Sequence, residues 1–257
     1  KEYDQLVEAI DPSKFYLVTD SNGWFLDHKK AKHLKKIGID KVQLSLDGAT
    51  AEDHDTFRRA PGSWDRVMTA KEADLHVILS TVVWKDRIYT EEWKAFLEFA
   101  KAKQVGTYVV YAKPVGAFEN VTDQMMTETE GKILQQFEEE YDIFTHMTPS
   151  YGRDIGCIAV KRILPVSRYG DIMPCPYQHV SLGNFFEEPL KEIVGRALNI
   201  KWFDPRKNMP CICGVDKGFI ENVISESYGD AEVPVRYDNV LNSDDFLDKG
   251  NMGDVES

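Results

Sequence analysis

The sequence predicts an α/β fold: a partial (β/α) barrel followed by a small cysteine-rich domain of hairpin and helix. Three observations carry this. Stretches of strand character alternate with amphipathic helical stretches four times in the first half, at the spacing of about 30 residues that a βαβ unit takes. The alternation stops near residue 146, whereas a complete eight-unit barrel needs about 250 residues for itself. All four cysteines, Cys157, Cys175, Cys211 and Cys213, lie beyond that point. The expected division is a barrel part over residues 1–150, a cysteine-rich domain over 151–227 and an acidic tail over 228–257.

The elements run in order along the chain. Residues 1–10 read as the end of a helix, closed by Asp11-Pro12-Ser13. Residues 15–19 read as a short buried strand stopped by Ser21-Asn22-Gly23. Residues 29–37 form an amphipathic helix with Ala31, Leu34 and Ile37 on one face and Gly38 at its end. A strand over 41–46 runs into Asp47-Gly48, a helix over 63–73 turns Val67 and Met68 inward, and a β-branched strand covers 75–84. A helix over 91–104 buries Trp93, Phe96, Leu97 and Ala100; a strand over 107–112, a loop and a helix over 128–144 complete the barrel part. Beyond residue 150, segments 158–164 and 171–173 flank the turn Ser167-Arg168-Tyr169-Gly170 as a hairpin. Helices are expected over 189–197 and 217–225. The tail carries eight acidic and two basic residues and reads as solvated.

Composition sets bounds. With 42% hydrophobic and 29% charged residues, the chain can bury a core. A net charge of −12 argues against nucleic acid as the main partner, because phosphate binding needs a positive face. It points weakly to a basic partner instead. The longest apolar runs, 77–84 and 108–112, fall far short of the ~20 residues of a membrane span. The charged start lacks signal-peptide character, so a cytoplasmic protein is expected. The first residue is lysine, which fits a processed chain or part of a longer one.

The cysteines carry the chemistry. Cys157 precedes one hairpin arm and Cys175 comes after the other, so the hairpin should bring both thiols together. Cys211 and Cys213 sit in a loop between Pro210 and Gly214, too close for an easy mutual disulfide. Four soft thiolates drawn from two segments suit Zn²⁺ or an iron–sulfur cluster. The plain alternative is four buried, inert cysteines; their grouping outside the barrel part favours metal.

The pattern of Cys157, twelve residues, Gly170, four residues and Cys175 resembles the auxiliary-cluster signature of radical S-adenosylmethionine enzymes with a SPASM or twitch extension. Gly170-Asp171-Ile172-Met173-Pro174-Cys175 is similar to that family's turn and Pro-Cys pattern. Ser181-Leu182-Gly183-Asn184 with Glu188-Pro189-Leu190 is similar to the stretch after it. One cysteine after Cys211 resembles the one-cluster twitch form, although the one-residue spacing of Cys211 and Cys213 is tighter than that family's two. The resemblance implies a [4Fe–4S] cluster on Cys157, Cys175, Cys211 and Cys213.

The barrel part resembles the same family. Its first strand ends in a turn containing Asn22, Ser45-Leu46-Asp47-Gly48 is similar to a Ser-x-Asp-Gly strand end, and His54-Asp55-Thr56-Phe57-Arg58 to a His-Asp-then-Arg pattern. By alternation Ser45 and Asp47 should share the lumen side of the strand end, where barrel ligands bind. The resemblance implies that Asn22, Ser45, Asp47 and Arg58 bind S-adenosylmethionine, with Ser45 on the ribose and Arg58 on the methionine carboxylate. Thr81 could bring a hydroxyl into the lumen beside it; as a plain β-former in a strand it would do no chemistry. Lys113-Pro114-Val115-Gly116 reads as a turn, and His28, His33, His76, His146 and His179 as surface or satisfied core residues.

The family's Cys-x3-Cys-x2-Cys loop is not in the sequence, so the catalytic cluster is expected upstream of Lys1 and this chain alone is expected to be inactive. The resemblance implies an enzyme that forms a 5′-deoxyadenosyl radical and abstracts hydrogen from a peptide or small molecule, served by a reductant protein. No residue is assigned as catalytic. The rival is a non-catalytic binding protein whose small domain is held by a four-cysteine zinc site.

Overall fold

In a computed structural model, residues 2–71, 75–146, 156–204, 211–229 and 232–247 are described. The chain divides into two compact units: Lys1–Val110 with Glu128–Thr145, and Tyr111–Thr127 with His146–Ser257. The second unit thus takes a loop from inside the barrel part.

The first unit is built on a five-stranded sheet in chain order: β1 (Val18–Ser21), β2 (Lys41–Ser45), β3 (His76–Val83), β4 (Thr107–Tyr111) and β5 (Ile143–Phe144). β1–β2, β2–β3 and β4–β5 pair in parallel, and Leu79 N–H donates to the Gly106 carbonyl between β3 and β4. Helices α1 (Glu2–Ile10), α2 (His28–Ile37), α3 (Ala51–Arg58), α4 (Ser63–Lys71), α5 (Glu91–Ala102) and α6 (Glu128–Glu140) connect or flank the strands. A parallel sheet needs such crossovers, and its strands are buried where helices cover them.

Local chemistry explains the boundaries. Asp27 caps α2 by accepting from Lys30 N–H, and Gly38 ends it at φ +100°. Thr90 caps α5 by accepting from Trp93 N–H, and that helix buries Trp93, Phe96, Leu97 and Ala100 as expected. Along β2, Val42 and Leu44 are fully buried while Lys41, Gln43 and Ser45 are half-buried. Register fixes the neighbours: Leu44 stands beside Leu79, and Ser45 beside Ser80.

Two expectations change here. The first strand begins at Val18 rather than at 15, and Phe15 and Tyr16 are 59% and 62% exposed. Their apolar character predicts burial, but Asp11–Lys14 makes a turn and pairing with β2 starts only at Val18. The strand–helix pattern leaves the stretch between Gly48 and the 63–73 helix unassigned. There Thr50 accepts from Asp53 N–H and starts α3. The expected end of the 63–73 helix lies partly outside the described residues.

The second unit has short pairings: β6 (Asp171–Ile172) with β8 (Gly183–Asn184) antiparallel, and β7 (Val180–Ser181) with β9 (Val235–Arg236) parallel. The expected hairpin survives as separate links. Ser167 N–H donates to the Asp171 carbonyl, Val166 bridges Ile172, Met173 N–H reaches Pro165 and Val160 N–H reaches Pro174. Gly170 turns the chain at φ +91°, where an added Cβ would lie 2.5 Å from the Phe186 ring. α7 (Leu190–Leu198) stands close to its expected place.

The cysteine loop is helical rather than irregular: Cys211 caps the short α8 (Ile212–Val215), which leads into α9 (Lys217–Phe219) and further turns to Ser227. Pro210 lies outside the described residues. The described part of the segment expected as a solvated tail is structured. It contributes β9 and α10 (Tyr237–Val240), Asp245 pairs with Lys201 at 2.6 Å, and Phe246 bridges Ile200. Its few apolar and capping groups are enough to dock it.

Candidate functional site

Two centres hold the sequence-selected residues, one in each unit. In the second unit all four cysteines are free thiols; Cys157, Cys211 and Cys213 are buried and Cys175 is half-buried. The Cys211 and Cys213 sulfurs stand 3.9 Å apart. The Cys213 thiol serves Cys175 and Cys211, and this sharing pushes the Cys213 pKa far up and the Cys211 and Cys175 pKa values down. Burial first, then the nearby Cys211 charge, pushes Cys157 up to about 11. Electrostatic coupling thus links Cys157 to Cys211 and Cys175, and Cys213 to Cys175 and Cys211.

Two residues at this centre escape sequence reasoning. Lys113 is buried, and its Nζ has no hydrogen-bond partner. Its pKa is raised: desolvation opposes the charge, but the Cys211 and Cys213 thiolates overcome it. His146, expected as a surface or satisfied residue, is buried with Nε2 unpartnered and packs edge-on to Tyr111 at 5.3 Å. A turn-forming Lys-Pro and a lone histidine carry no motif that could have flagged either one.

The donor set fits an iron–sulfur cluster. Four soft thiols, three of them buried, lie beside a buried cation that offsets thiolate charge. Among the described residues no three His, Cys, Asp or Glu side chains converge on a point that could hold one ion.

In the first unit Asp47 is the hub. Its carboxylate is buried and accepts from Arg58 Nε at 2.6 Å, Thr81 Oγ1 at 3.0 Å and Val82 N–H at 3.1 Å. Asp47 N–H donates to the His54 Nδ1 atom at 3.0 Å. The backbone approaches α3 so closely that a Cβ on Gly48 would lie 2.5 Å from Asp53 Cβ and 2.6 Å from His54 N.

Arg87, which no motif flags, closes the hub. It donates to the Asp47 and Val82 carbonyls and to Thr81 Oγ1, and its guanidinium lies 5.1 Å from the Trp84 and Trp93 rings. Burial, only partly opposed by Asp47, lowers its pKa to about 10, so it stays charged near neutrality.

The selected residues separate accordingly. Ser45 lies on the half-buried face of β2, opposite Val42 and Leu44. Asp47 is not left facing the lumen with it, because two arginines and Thr81 take up its carboxylate. Thr81 shares the Leu79 face of β3 and is 1% exposed. Its hydroxyl donates to Asp47 and accepts from Arg87. Asn22 is exposed and closes a turn by accepting from Trp24 N–H. The Arg58 side chain is 32% exposed. Asp55 accepts from Gly62 N–H, Ser63 Oγ and Trp64 N–H, so the His-Asp pair fastens α3 to the Asp47 turn and to the start of α4.

Residues 157–215 match the SPASM family model, an iron–sulfur cluster-binding domain. The chain is 25% identical over 232 residues to an AdoMet-dependent heme synthase of Methanosarcina barkeri, covering 77% of this chain and 66% of that protein. It is 22% identical over 247 residues to an AdoMet-dependent heme synthase of Nitratidesulfovibrio vulgaris, covering 82% and 66%. The chain thus spans just under two thirds of the length of these relatives. Its fold is similar to that of Streptococcus suis SuiB bound to the precursor peptide SuiA, with a TM-score of 0.53, 14% identity and coverage of 74% of this chain and 50% of that one.

Asp47→Asn should lower unfolding stability by about 3–5 kcal/mol, because it leaves the buried Arg87 cation uncompensated. Urea denaturation tracked by tryptophan fluorescence checks this.

His54 is held neutral: burial dominates and puts its folded pKa below the unfolded value of about 6.5. The unfolded chain therefore binds the proton more readily. The His54 contribution is whole above about pH 6.5 and fades as pH falls through the folded pKa. Denaturation midpoints measured across that range should fall with pH, and less steeply in His54→Asn.

Proposed function

We propose that this chain, a member of the radical S-adenosylmethionine enzymes with a SPASM domain, is the barrel-and-auxiliary-cluster portion of an enzyme that abstracts hydrogen from a peptide or small-molecule substrate. The observation that carries the reading is that Cys157, Cys175, Cys211 and Cys213, which act on one another's charge, all fall inside the segment that matches an iron–sulfur domain.

These four residues would hold a [4Fe–4S] cluster, which supplies one-electron transfer when bound. S-adenosylmethionine, with a second cluster held elsewhere in the full-length protein, would supply the hydrogen-abstracting radical. The part of this chain is positioning. Ser45 presents a hydroxyl at the end of β2 for the ribose. Arg58, braced on Asp47, keeps donors free for the methionine carboxylate. Arg87 fixes Asp47 and, through it, Arg58.

The names of the sequence relatives support S-adenosylmethionine as co-substrate, and the SuiB complex supports a peptide among the substrates considered. Reduction needs a partner such as a small electron-transfer protein. No described helix is long and apolar enough to cross a membrane, and four free thiols fit a cytoplasmic setting.

The test is anaerobic purification of the full-length protein, iron and sulfide analysis, and incubation with S-adenosylmethionine and dithionite. Release of 5′-deoxyadenosine is expected. A preparation loaded with iron and sulfide that releases none overturns the proposal. Arg58→Met should weaken S-adenosylmethionine binding about 10- to 100-fold, the worth of a charge-assisted hydrogen bond. Equilibrium dialysis reads this.

A further inference from the structure

Lys113 is the one buried charged group in the described part of the second unit whose polar end has no partner. It is 4% exposed. Its Nζ lies 5.0 Å from the Tyr111 ring centre and 5.7 Å from that of Tyr177, so aromatic faces rather than water surround it. A bare ammonium in such a place is costly unless an anion offsets it.

The anion is found across Gly214. A Cβ on that residue would stand 3.1 Å from Lys113 Nζ and 3.3 Å from Cys211 Sγ, so one small gap is bordered by both the cation and the sulfur. Among residues 211–215 only Gly214 lacks the atom that would fill this gap. The lysine thus comes close to the thiolate set because this position has no side chain. Its three N–H donors remain available to sulfur.

We infer that Lys113 is the resident counter-cation of the four-cysteine centre and raises the reduction potential of the cluster held there. The inference rests on the four-cysteine reading above. The physics is Coulombic. Four thiolates give the cluster a net negative charge, and each electron added makes it more negative. A fixed positive charge in a water-poor site therefore stabilises the reduced form more than the oxidised one. The step is a one-electron reduction by an external donor; no bond forms or breaks, and Lys113 keeps its proton.

The test is an EPR-monitored redox titration of the full-length protein with dithionite and mediators, alongside iron analysis. A Cys157→Ser variant identifies the signal that belongs to this centre. Lys113→Met should shift that midpoint to a more negative potential, whereas Lys113→Arg, which keeps the charge, should stay near the parent. Gly214→Ala should shift it in the same direction as Lys113→Met but less, because the new methyl pushes the ammonium from the sulfur without removing it. If Lys113→Met loses the iron while Lys113→Arg retains it, the charge requirement holds and Gly214→Ala gives the potential. A loaded parent whose midpoint is unmoved in both Lys113→Met and Gly214→Ala overturns the inference alone. A parent that takes up no cluster at this centre removes the four-cysteine reading and the inference together.

Discussion

Burial of charge away from water is the constraint around which both centres are organised. In the first unit a single carboxylate, Asp47, is fully desolvated, and a guanidinium, a hydroxyl and two backbone groups are drawn in to satisfy it and Arg87. Removing a charge from water costs several kcal/mol, so such a group survives only where almost every lone pair is occupied. That need explains the close approach at Gly48, the placement of His54 and the stacking of Trp84 and Trp93 on Arg87.

The second unit meets the same constraint with the signs exchanged. Here the buried cation, Lys113, has no oxygen acceptor, and its compensation is the sulfur set. The Asp47 hub is satisfied by its own side chains and nearby backbone groups and therefore acts as scaffold. The cysteine centre is not: Lys113 and His146 keep unused polar atoms there, and thiols share protons among themselves. Unspent bonding capacity in a buried place is what separates a site built for a guest from a network built for rigidity.

This contrast also sorts the motif residues. The His-Asp-then-Arg run looks like a catalytic string, yet His54 and Asp55 spend their acceptors on backbone N–H groups. Arg58 pairs with Asp47 and keeps a partly exposed side chain. A residue type fit for chemistry becomes a positioning group once its polar atoms are consumed by the fold.

The sequence by itself determined the strand–helix alternation, the buried face of α5, the turn at Gly170 and the gathering of four cysteines past the barrel part. Each rests on local signals: period, caps, a glycine that must turn, and spacing along the chain. Family-like motifs also led to Ser45 and Arg58. Only the tertiary structure decided the rest. Phe15 and Tyr16 proved exposed because pairing starts later. Thr81 proved to be spent on Asp47 and Arg87, groups 34 and 6 residues away, which its residue type does not announce. Arg87, Lys113 and His146 lie 40, 98 and 65 residues in sequence from the groups they serve, Asp47 for the first and Cys211 for the others. Such pairings join distant segments through desolvation, which depends on what surrounds a group after folding and leaves no pattern in the residues beside it.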